Sequence, residues 1–240
     1  MLYIIGLGLN LKGISVEGAE IVKRAKKIYL ENYTVDFPYK LTDLTEILGK
    51  KIIPADRELV ESLSIVDEAK KRDVALLIYG SPLTATTHIT LLQEAKASRV
   101  KCKVIYAASV LDAVAQSGLQ LYKFGKIASM PKWDQEKNFM PDSFIKTIQE
   151  NNSMRAHSLI LVDIGLNFDL AIEQLKIAAE NHDIKIKDIV VCQSLGTKKQ
   201  KFRFGKIEDF EKMFVKRPYC IILPNKLHFV EKENLEQFRM

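Results

Sequence analysis

Short runs of apolar residues alternate along the chain with stretches in which apolar residues recur every three or four positions. Short apolar runs are typical of buried β-strands, whereas the wider spacing is typical of helices with one buried face. The pattern predicts strands over residues 2–8, 27–31, 51–54, 74–79, 103–106, 157–164, 188–193, 200–204 and 219–223.

Helical spacing is predicted between these strands. The first helix begins after Ser15, a residue type that caps helix amino termini. Because strands and helices alternate, the sequence predicts an α/β fold with mixed, largely parallel sheets. The chain changes character in its middle, where a polar stretch, 131–138, follows the segment 118–125. A boundary is placed near residues 107–115, which predicts two α/β domains, 1–110 and 111–240. The remaining helices are predicted over residues 42–48, 57–71, 87–97, 110–115, 142–150, 167–180 and 206–213.

The composition is that of a globular protein, with 47% apolar and 28% charged residues in a chain of 240. No apolar run approaches the ~20 residues that cross a membrane, so no membrane segment is expected. No basic stretch precedes the first apolar run, and a secretory signal is therefore not expected. The three cysteines are widely spaced, which favours neither a metal cluster nor a disulfide framework and fits a reducing cytoplasm.

The chain carries a net charge of +6, and its only dense basic run covers residues 198–203. A basic run of this kind attracts acidic or RNA-bearing partners, but it also occurs as ordinary solvated surface charge. Both interpretations remain open from the sequence.

The segment YGSPLTATTH, residues 79–88, follows the predicted strand 74–79. Ligands of open α/β sheets bind at the carboxyl ends of strands, so this segment is a candidate ligand loop. Thr86 or Thr87 can cap the next helix, yet four hydroxyls exceed what one cap requires. Such a loop suits a polar small molecule that bears a carboxylate and ribose hydroxyls. His88 is either a hydrogen-bonded structural group or a catalyst.

Gly6 and Gly8 end the first strand and resemble half of a dinucleotide-binding fingerprint. The third glycine of that fingerprint and the helix that directly follows it are missing. In addition, no acidic residue is expected at the end of a following strand, in the usual place for binding a ribose. The two glycines indicate a close backbone approach, either of a ligand or of a neighbouring loop.

Two further strand ends carry polar side chains. Ser109 is a third ligand-loop residue or a helix cap, and Asp163 is an acid, a base or a cap. No Ser/His/Asp set, no pair of carboxylates and no His/Cys metal pattern is recognisable, so no metal site is predicted and no catalytic residue is assigned. Any chemistry is expected to reside in a bound cofactor.

Six segments, taken in order along the chain, resemble the diphthine synthases of archaea. These enzymes are members of the tetrapyrrole-methylase group of S-adenosyl-L-methionine-dependent methyltransferases. The segments are GLGL (6–9), ISVEG (14–18), YLENYT (29–34), GSPLTATTH (80–88), GLQLYKFG (118–125) and LPNKLHFVE (223–231).

The resemblance implies a class III methyltransferase fold, with the cofactor S-adenosyl-L-methionine in a cleft between two α/β domains, and a homodimer. It implies that the substrate is elongation factor 2, in which the aminocarboxypropyl amine of a modified histidine is methylated repeatedly. The implied cofactor contacts are Leu9, Ser81, Thr84, Ser109, Val110, Val162, Leu195 and Tyr219.

The chain departs from the family pattern at two positions. Ser81 stands where the family has Asp, and Asn225 stands where it has Gly. Two alternatives remain: a related methyltransferase that acts on tetrapyrroles or ribosomal RNA, and a non-catalytic α/β module that binds nucleotide or RNA. The segments YLENYT and LPNKLHFVE argue against the related methyltransferase, and direct nucleic-acid binding is not expected.

Overall fold

The structure is a computed structural model that describes residues 1–240, which divide into two compact units, Met1–Val110 and Leu111–Met240. Helix α6 (Val110–Ala113) spans the division. The first unit contains β1 (Leu2–Gly6), α1 (Val16–Arg24), β2 (Lys27–Glu31), α2 (Leu41–Leu48), β3 (Ile53–Ala55), α3 (Arg57–Glu61), α4 (Ser64–Ala69), β4 (Val74–Ile78), α5 (Ile89–Ala97) and β5 (Cys102–Ile105).

The sheet of the first unit has the order β3-β2-β4-β1-β5, and all of its pairings are parallel. β1 and β4 lie inside the sheet, and every residue of both strands is buried. This explains their continuous apolar runs, because a central parallel strand is covered on both faces. β3 forms one edge, where Pro54 is tolerated because an edge strand can lose a hydrogen-bond donor.

The second unit has a mixed sheet with the order β6-β7-β10-β8-β9. β6 runs parallel to β7, and the other three pairings are antiparallel. One face packs on a core that includes Phe144, Phe168 and Phe210. The elements are β6 (Ala128–Met130), α7 (Ser143–Ser153), β7 (Ser158–Val162), α8 (Phe168–Asn181), β8 (Asp188–Gln193), β9 (Lys201–Lys206), β10 (Tyr219–Leu223) and α9 (Phe229–Glu236), with 3₁₀ turns at Val114–Ser117, Leu121–Lys123 and Ile207–Phe210.

The α/β class with mixed, largely parallel sheets is confirmed, since five of the eight strand pairings are parallel. The predicted cap at Ser15 is also confirmed, because its hydroxyl accepts a hydrogen bond from the Gly18 amide at 3.1 Å. No helix is long and apolar enough to cross a bilayer.

The continuous helix predicted over residues 57–71 is wrong. The chain breaks between α3 and α4, where Leu63 adopts a left-handed conformation with φ of 61°. The Ser62 hydroxyl donates to the Leu59 carbonyl at 2.9 Å, which is a local bond that competes with continued helix. The helix predicted over residues 206–213 is also wrong, because only a 3₁₀ turn forms there, at Ile207–Phe210.

Candidate functional site

Three loops meet at the carboxyl edge of the first sheet, after the neighbouring strands β4, β1 and β5. Gly8 and Gly80 form a bridge in which each amide donates to the other's carbonyl, at 3.1 and 2.9 Å. A Cβ on Gly6 would lie 2.6 Å from the Gly80 carbonyl oxygen, and Gly8 has φ of 65°. Of the two interpretations of these glycines, the structure therefore supports the close approach of a neighbouring loop.

Five of the predicted cofactor residues lie on these three loops. Leu9 follows the bridge and is buried, and its carbonyl accepts a hydrogen bond from the Tyr79 hydroxyl at 3.1 Å. Ser109 is also buried, its Cα lies 3.9 Å from where a Cβ on Gly80 would be, and Val110 begins α6 directly after it. The remaining two, Ser81 and Thr84, lie in the loop after β4.

The loop after β4 folds on itself, and some of its hydroxyl groups form no hydrogen bond within the protein. The Thr86 hydroxyl donates to the Pro82 carbonyl at 2.9 Å, so it is used within the loop. The hydroxyls of Ser81 and Thr84 are on partly buried residues and make no hydrogen bond within the protein. Ala85 is held at φ of 54°, a strained conformation for a residue with a Cβ. Strain and unpartnered hydroxyls at a strand end are features of a ligand-binding loop.

A buried polar cluster lies beside this loop. Glu31 ends β2 and is fully buried, and its carboxylate accepts hydrogen bonds from the Tyr33 amide at 2.7 Å and from the amide and hydroxyl of Thr34 at 2.8 and 2.6 Å. The expectation that no acidic residue closes a following strand is therefore wrong. Because its own loop engages both carboxylate oxygens and the side chain is fully buried, Glu31 is not positioned to bind a ribose.

His88 and Tyr33 complete the cluster, with ring centroids 6.4 Å apart. His88 Nδ1 lies 3.3 Å from the Pro82 carbonyl, whereas His88 Nε2 and the Tyr33 hydroxyl are buried without a hydrogen-bond partner. Burial lowers the pKa of His88, opposed by the charge of Glu31, and burial raises the pKa of Tyr33 to about 12. The Pro82 bond supports the structural interpretation of His88, while its second nitrogen remains open to a water molecule or a ligand.

Sequence reasoning did not assign Glu31 or Tyr33 to the site. The available signal was the polar segment Glu31–Thr34 at the end of a predicted strand, the same position that singled out the loop after β4. Only the pairing of β2 with β4 shows that these two strand ends are neighbours.

The other three predicted cofactor residues lie at one end of the strands of the second sheet, where β7 and β8 end and β10 begins. This end is called an edge of the second sheet below. The strand registers place Val162, Tyr219 and Gln193 side by side on β7, β10 and β8, and Leu195 follows β8. The Tyr219 hydroxyl donates to the Leu166 carbonyl at 3.1 Å. The structure thus brings these residues together although Val162 and Tyr219 are separated by more than fifty positions.

The loop that carries Leu195 has an unusual backbone. Ser194 is buried with φ of 47°, and its amide donates to the Pro218 carbonyl at 2.8 Å. This bond ties the loop after β8 to the segment that enters β10. Leu195 and Tyr219 are therefore held in a fixed relation by the backbone.

Asp163 follows Val162 and is exposed. Its carboxylate accepts hydrogen bonds from the Ile164 amide at 2.9 Å and the Lys132 amide at 3.2 Å, so it caps a turn. Among the three roles left open for this residue, the geometry supports the cap. No group of three or more His, Cys, Asp or Glu side chains is arranged to hold a metal ion.

The segments GLQLYKFG and LPNKLHFVE converge at the opposite edge of the second sheet. There the fully buried Glu231 pairs with Lys123, contacts His157 Nε2 at 3.1 Å, and accepts from the amides of Gln120 and His228 at 2.9 and 2.8 Å. Burial alone would raise the pKa of Glu231, but these hydrogen bonds lower it to about 2. These two segments therefore stabilise the second unit rather than joining the row of Val162 and Tyr219.

A cavity of about 360 Å³ also lies at this opposite edge of the second sheet. Its lining includes none of the predicted cofactor residues. Among the lining residues are Ile148, Asn152, Phe204, Leu223, Pro224 and Leu227.

Comparison with known proteins gives the family. Residues 1–211 match the family of tetrapyrrole (corrin/porphyrin) methylases. A diphthine synthase of Methanocaldococcus jannaschii is 37% identical over 253 residues, which cover 98% of each chain. A diphthine methyl ester synthase of Saccharomyces cerevisiae is 35% identical over 99% of this chain and 89% of its own. A solved diphthine synthase structure superposes with a TM-score of 0.89 at 31% identity, covering 99% of this chain and 95% of that one.

The chain therefore belongs to the tetrapyrrole methylase family. Within that family it groups with the diphthine synthases, and it is a methyltransferase that uses a methyl donor.

Proposed function

We propose that this methyltransferase acts in diphthamide biosynthesis and uses S-adenosyl-L-methionine to methylate, repeatedly, the aminocarboxypropyl amine of the modified histidine in elongation factor 2. The observation that carries the proposal is the similarity to diphthine synthases over nearly the whole chain. We further propose that the protein is a homodimer, as the family resemblance implies, and that it is cytoplasmic, which its widely spaced cysteines fit.

The residues proposed to contact the donor are Leu9, Ser81, Thr84, Ser109 and Val110 in the first unit and Val162, Leu195 and Tyr219 in the second. Support comes from the Ser81 and Thr84 hydroxyls, which have no partner within the protein and can bind polar groups of a ligand. S-adenosyl-L-methionine supplies an activated methyl group on a sulfonium. The protein has to align the reacting atoms and exclude water, and alignment alone contributes ~7–11 kcal/mol in favourable cases.

The decisive experiment supplies the purified protein with S-adenosyl-L-methionine labelled in the methyl group and with elongation factor 2 that carries the unmethylated modified histidine. Label on that histidine supports the proposal. Label that appears only on a tetrapyrrole or on ribosomal RNA, in parallel reactions, overturns it in favour of a related methyltransferase.

A second candidate product follows from the relative that is named a diphthine methyl ester synthase. An ester methyl is released by mild alkali, whereas a methyl group on an amine is retained. Mass spectrometry of the histidine peptide before and after alkali therefore distinguishes amine methylation from esterification and counts the methyl groups.

A further inference from the structure

Two basic loops flank the edge of the second sheet that carries Leu195 and Tyr219. One is the loop between β8 and β9, and the other precedes β10. They adjoin each other, because Gln193 pairs with both Lys201 and Tyr219 and because Ser194 bonds to Pro218. Together the two loops and the first residue of β9 carry five exposed lysines that make no ion pair, here called the lysine edge: Lys198, Lys199, Lys201, Lys212 and Lys216.

Phe214 lies within the lysine edge and is 87% exposed, more than any other large apolar side chain of the protein. Its neighbours hold it in this position. Met213 packs against the core of the second unit, and Val215 is only 3% exposed. Because both neighbours are anchored inward, the loop presents the Phe214 ring to solvent. An exposed aromatic ring among unpaired cations resembles the anchors of protein interfaces.

We propose that the lysine edge, with Phe214 as its apolar anchor, is the docking surface for an acidic face of the protein substrate. The proposal rests on the proposed function, since it assumes that the methyl acceptor is part of a protein. Lysines without acidic partners speed the encounter with an acidic surface, and Phe214 provides an apolar contact once that surface has docked.

The aromatic side chains of this region favour a protein over RNA as the partner. Single-stranded RNA is bound by several aromatic rings on which successive bases stack. Phe202 belongs to the basic run, but its ring is engaged by Phe238 at a centroid distance of 5.2 Å, and Tyr219 is buried. Phe214 is thus the single exposed ring of the edge, which suits one apolar contact better than a row of bases.

The test compares two double variants of the full-length protein. Lys198→Gln/Lys199→Gln removes charge from the lysine edge, and Lys185→Gln/Lys187→Gln removes the same charge from exposed positions just before β8, at the opposite edge of the sheet. A third variant, Phe214→Ser, removes the anchor. Methyl transfer is measured with intact elongation factor 2 and with a short peptide that spans the modified histidine.

For the intact factor we expect KM to rise about fivefold in Lys198→Gln/Lys199→Gln, as for the loss of two exposed ion pairs, and about tenfold in Phe214→Ser. The control pair leaves KM unchanged, and the short peptide gives the same kinetics with all variants. KM of the wild type rises with ionic strength, and this dependence is weaker in the lysine-edge variant.

Three results overturn the docking surface. The first is an active wild type whose KM is unchanged in Lys198→Gln/Lys199→Gln and Phe214→Ser, and the second is an equal rise in the control pair. The third is binding of a single-stranded RNA oligonucleotide that depends on the same lysines and leaves KM for the factor unaffected. A wild-type protein that transfers no methyl group to the factor overturns the proposed function. It also overturns the docking surface, which rests on that function.

Discussion

The carbonyl oxygen of Gly80 lies where a side chain on Gly6 would begin, with only 2.6 Å between that oxygen and the position of the Cβ. A methyl group there would push apart the loops after β1 and β4. We expect Gly6→Ala to lower the free energy of unfolding by about 1–3 kcal/mol, as for other overpacked sites. It should also weaken binding of S-adenosylhomocysteine, because both loops carry proposed contacts. Denaturant unfolding and isothermal titration measure the two effects.

Gly49→Ala is the matched control. Gly49 ends α2 in a left-handed conformation, and no atom lies within 4 Å of its missing Cβ, so this variant has a backbone cost but no steric clash. It should lose roughly 1 kcal/mol and keep the ligand affinity. Equal ligand affinity in both variants would mean that the loops after β1 and β4 do not bind the ligand.

Ser81 stands where the family pattern has Asp, and its hydroxyl has no partner within the protein. We expect Ser81→Asp to tighten binding of S-adenosyl-L-methionine by about 1–2 kcal/mol, because a carboxylate can form a charge-assisted hydrogen bond. Thr87→Asp adds the same charge to an exposed position in the same loop and should leave the affinity unchanged. Weaker binding in Ser81→Asp would show that the site is built around serine.

The loops at the first sheet were accessible to sequence reasoning because they follow strands with unmistakable apolar runs. β1 and β4 are buried throughout, so their ends could be found without a structure. The cluster of Tyr33 and His88 was not accessible, because its members come from different strand ends. Their contact depends on β2 lying beside β4, which no local pattern encodes.

The second unit was harder to predict from local patterns. β6 has only three residues, and helix α9 has just two buried residues, Glu231 and Leu235, so neither shows a clear period. Its antiparallel pairings join β10 to β7 and β8, and such long-range register is set by packing rather than by spacing. The register places Val162 and Tyr219 side by side, and their contact with the cofactor stays a prediction.

The Tyr33 hydroxyl is buried without a hydrogen bond, and a group in this state destabilises a fold. We expect Tyr33→Phe to raise the free energy of unfolding by roughly 1 kcal/mol. Tyr29→Phe is the control with the opposite sign, since the Tyr29 hydroxyl donates to Glu68 at 2.7 Å and its removal should cost roughly 1 kcal/mol. Chemical denaturation measures both. A loss of stability in Tyr33→Phe would reveal a bound water or ligand at the hydroxyl.

Low pH should lower the free energy of unfolding of the second unit through protonation of Glu231. Its pKa is lowered from 4.5 to about 2 in the folded state, so its contribution is complete above pH 4.5 and disappears as the pH falls towards 2. We expect Glu231→Gln to lose about 3–5 kcal/mol at neutral pH, because Lys123 is left without its partner. The deficit should shrink as the pH falls through this window. A constant difference between variant and wild type at all pH values would contradict the assignment.

The position of β1 in its sheet has a consequence for synthesis on the ribosome. β1 lies between β4 and β5, and Leu2 pairs with Val74 on one side and with Cys102 on the other. The ribosome therefore releases this wholly apolar strand long before either neighbour exists, and the sheet cannot close until β5 has left the exit tunnel. During that interval β1 is an unpaired strand that can aggregate, and chaperones bind segments of this kind. Ribosome pausing before β5 (Cys102–Ile105) has left the exit tunnel should accordingly lower the yield of folded protein more than pausing after it has left.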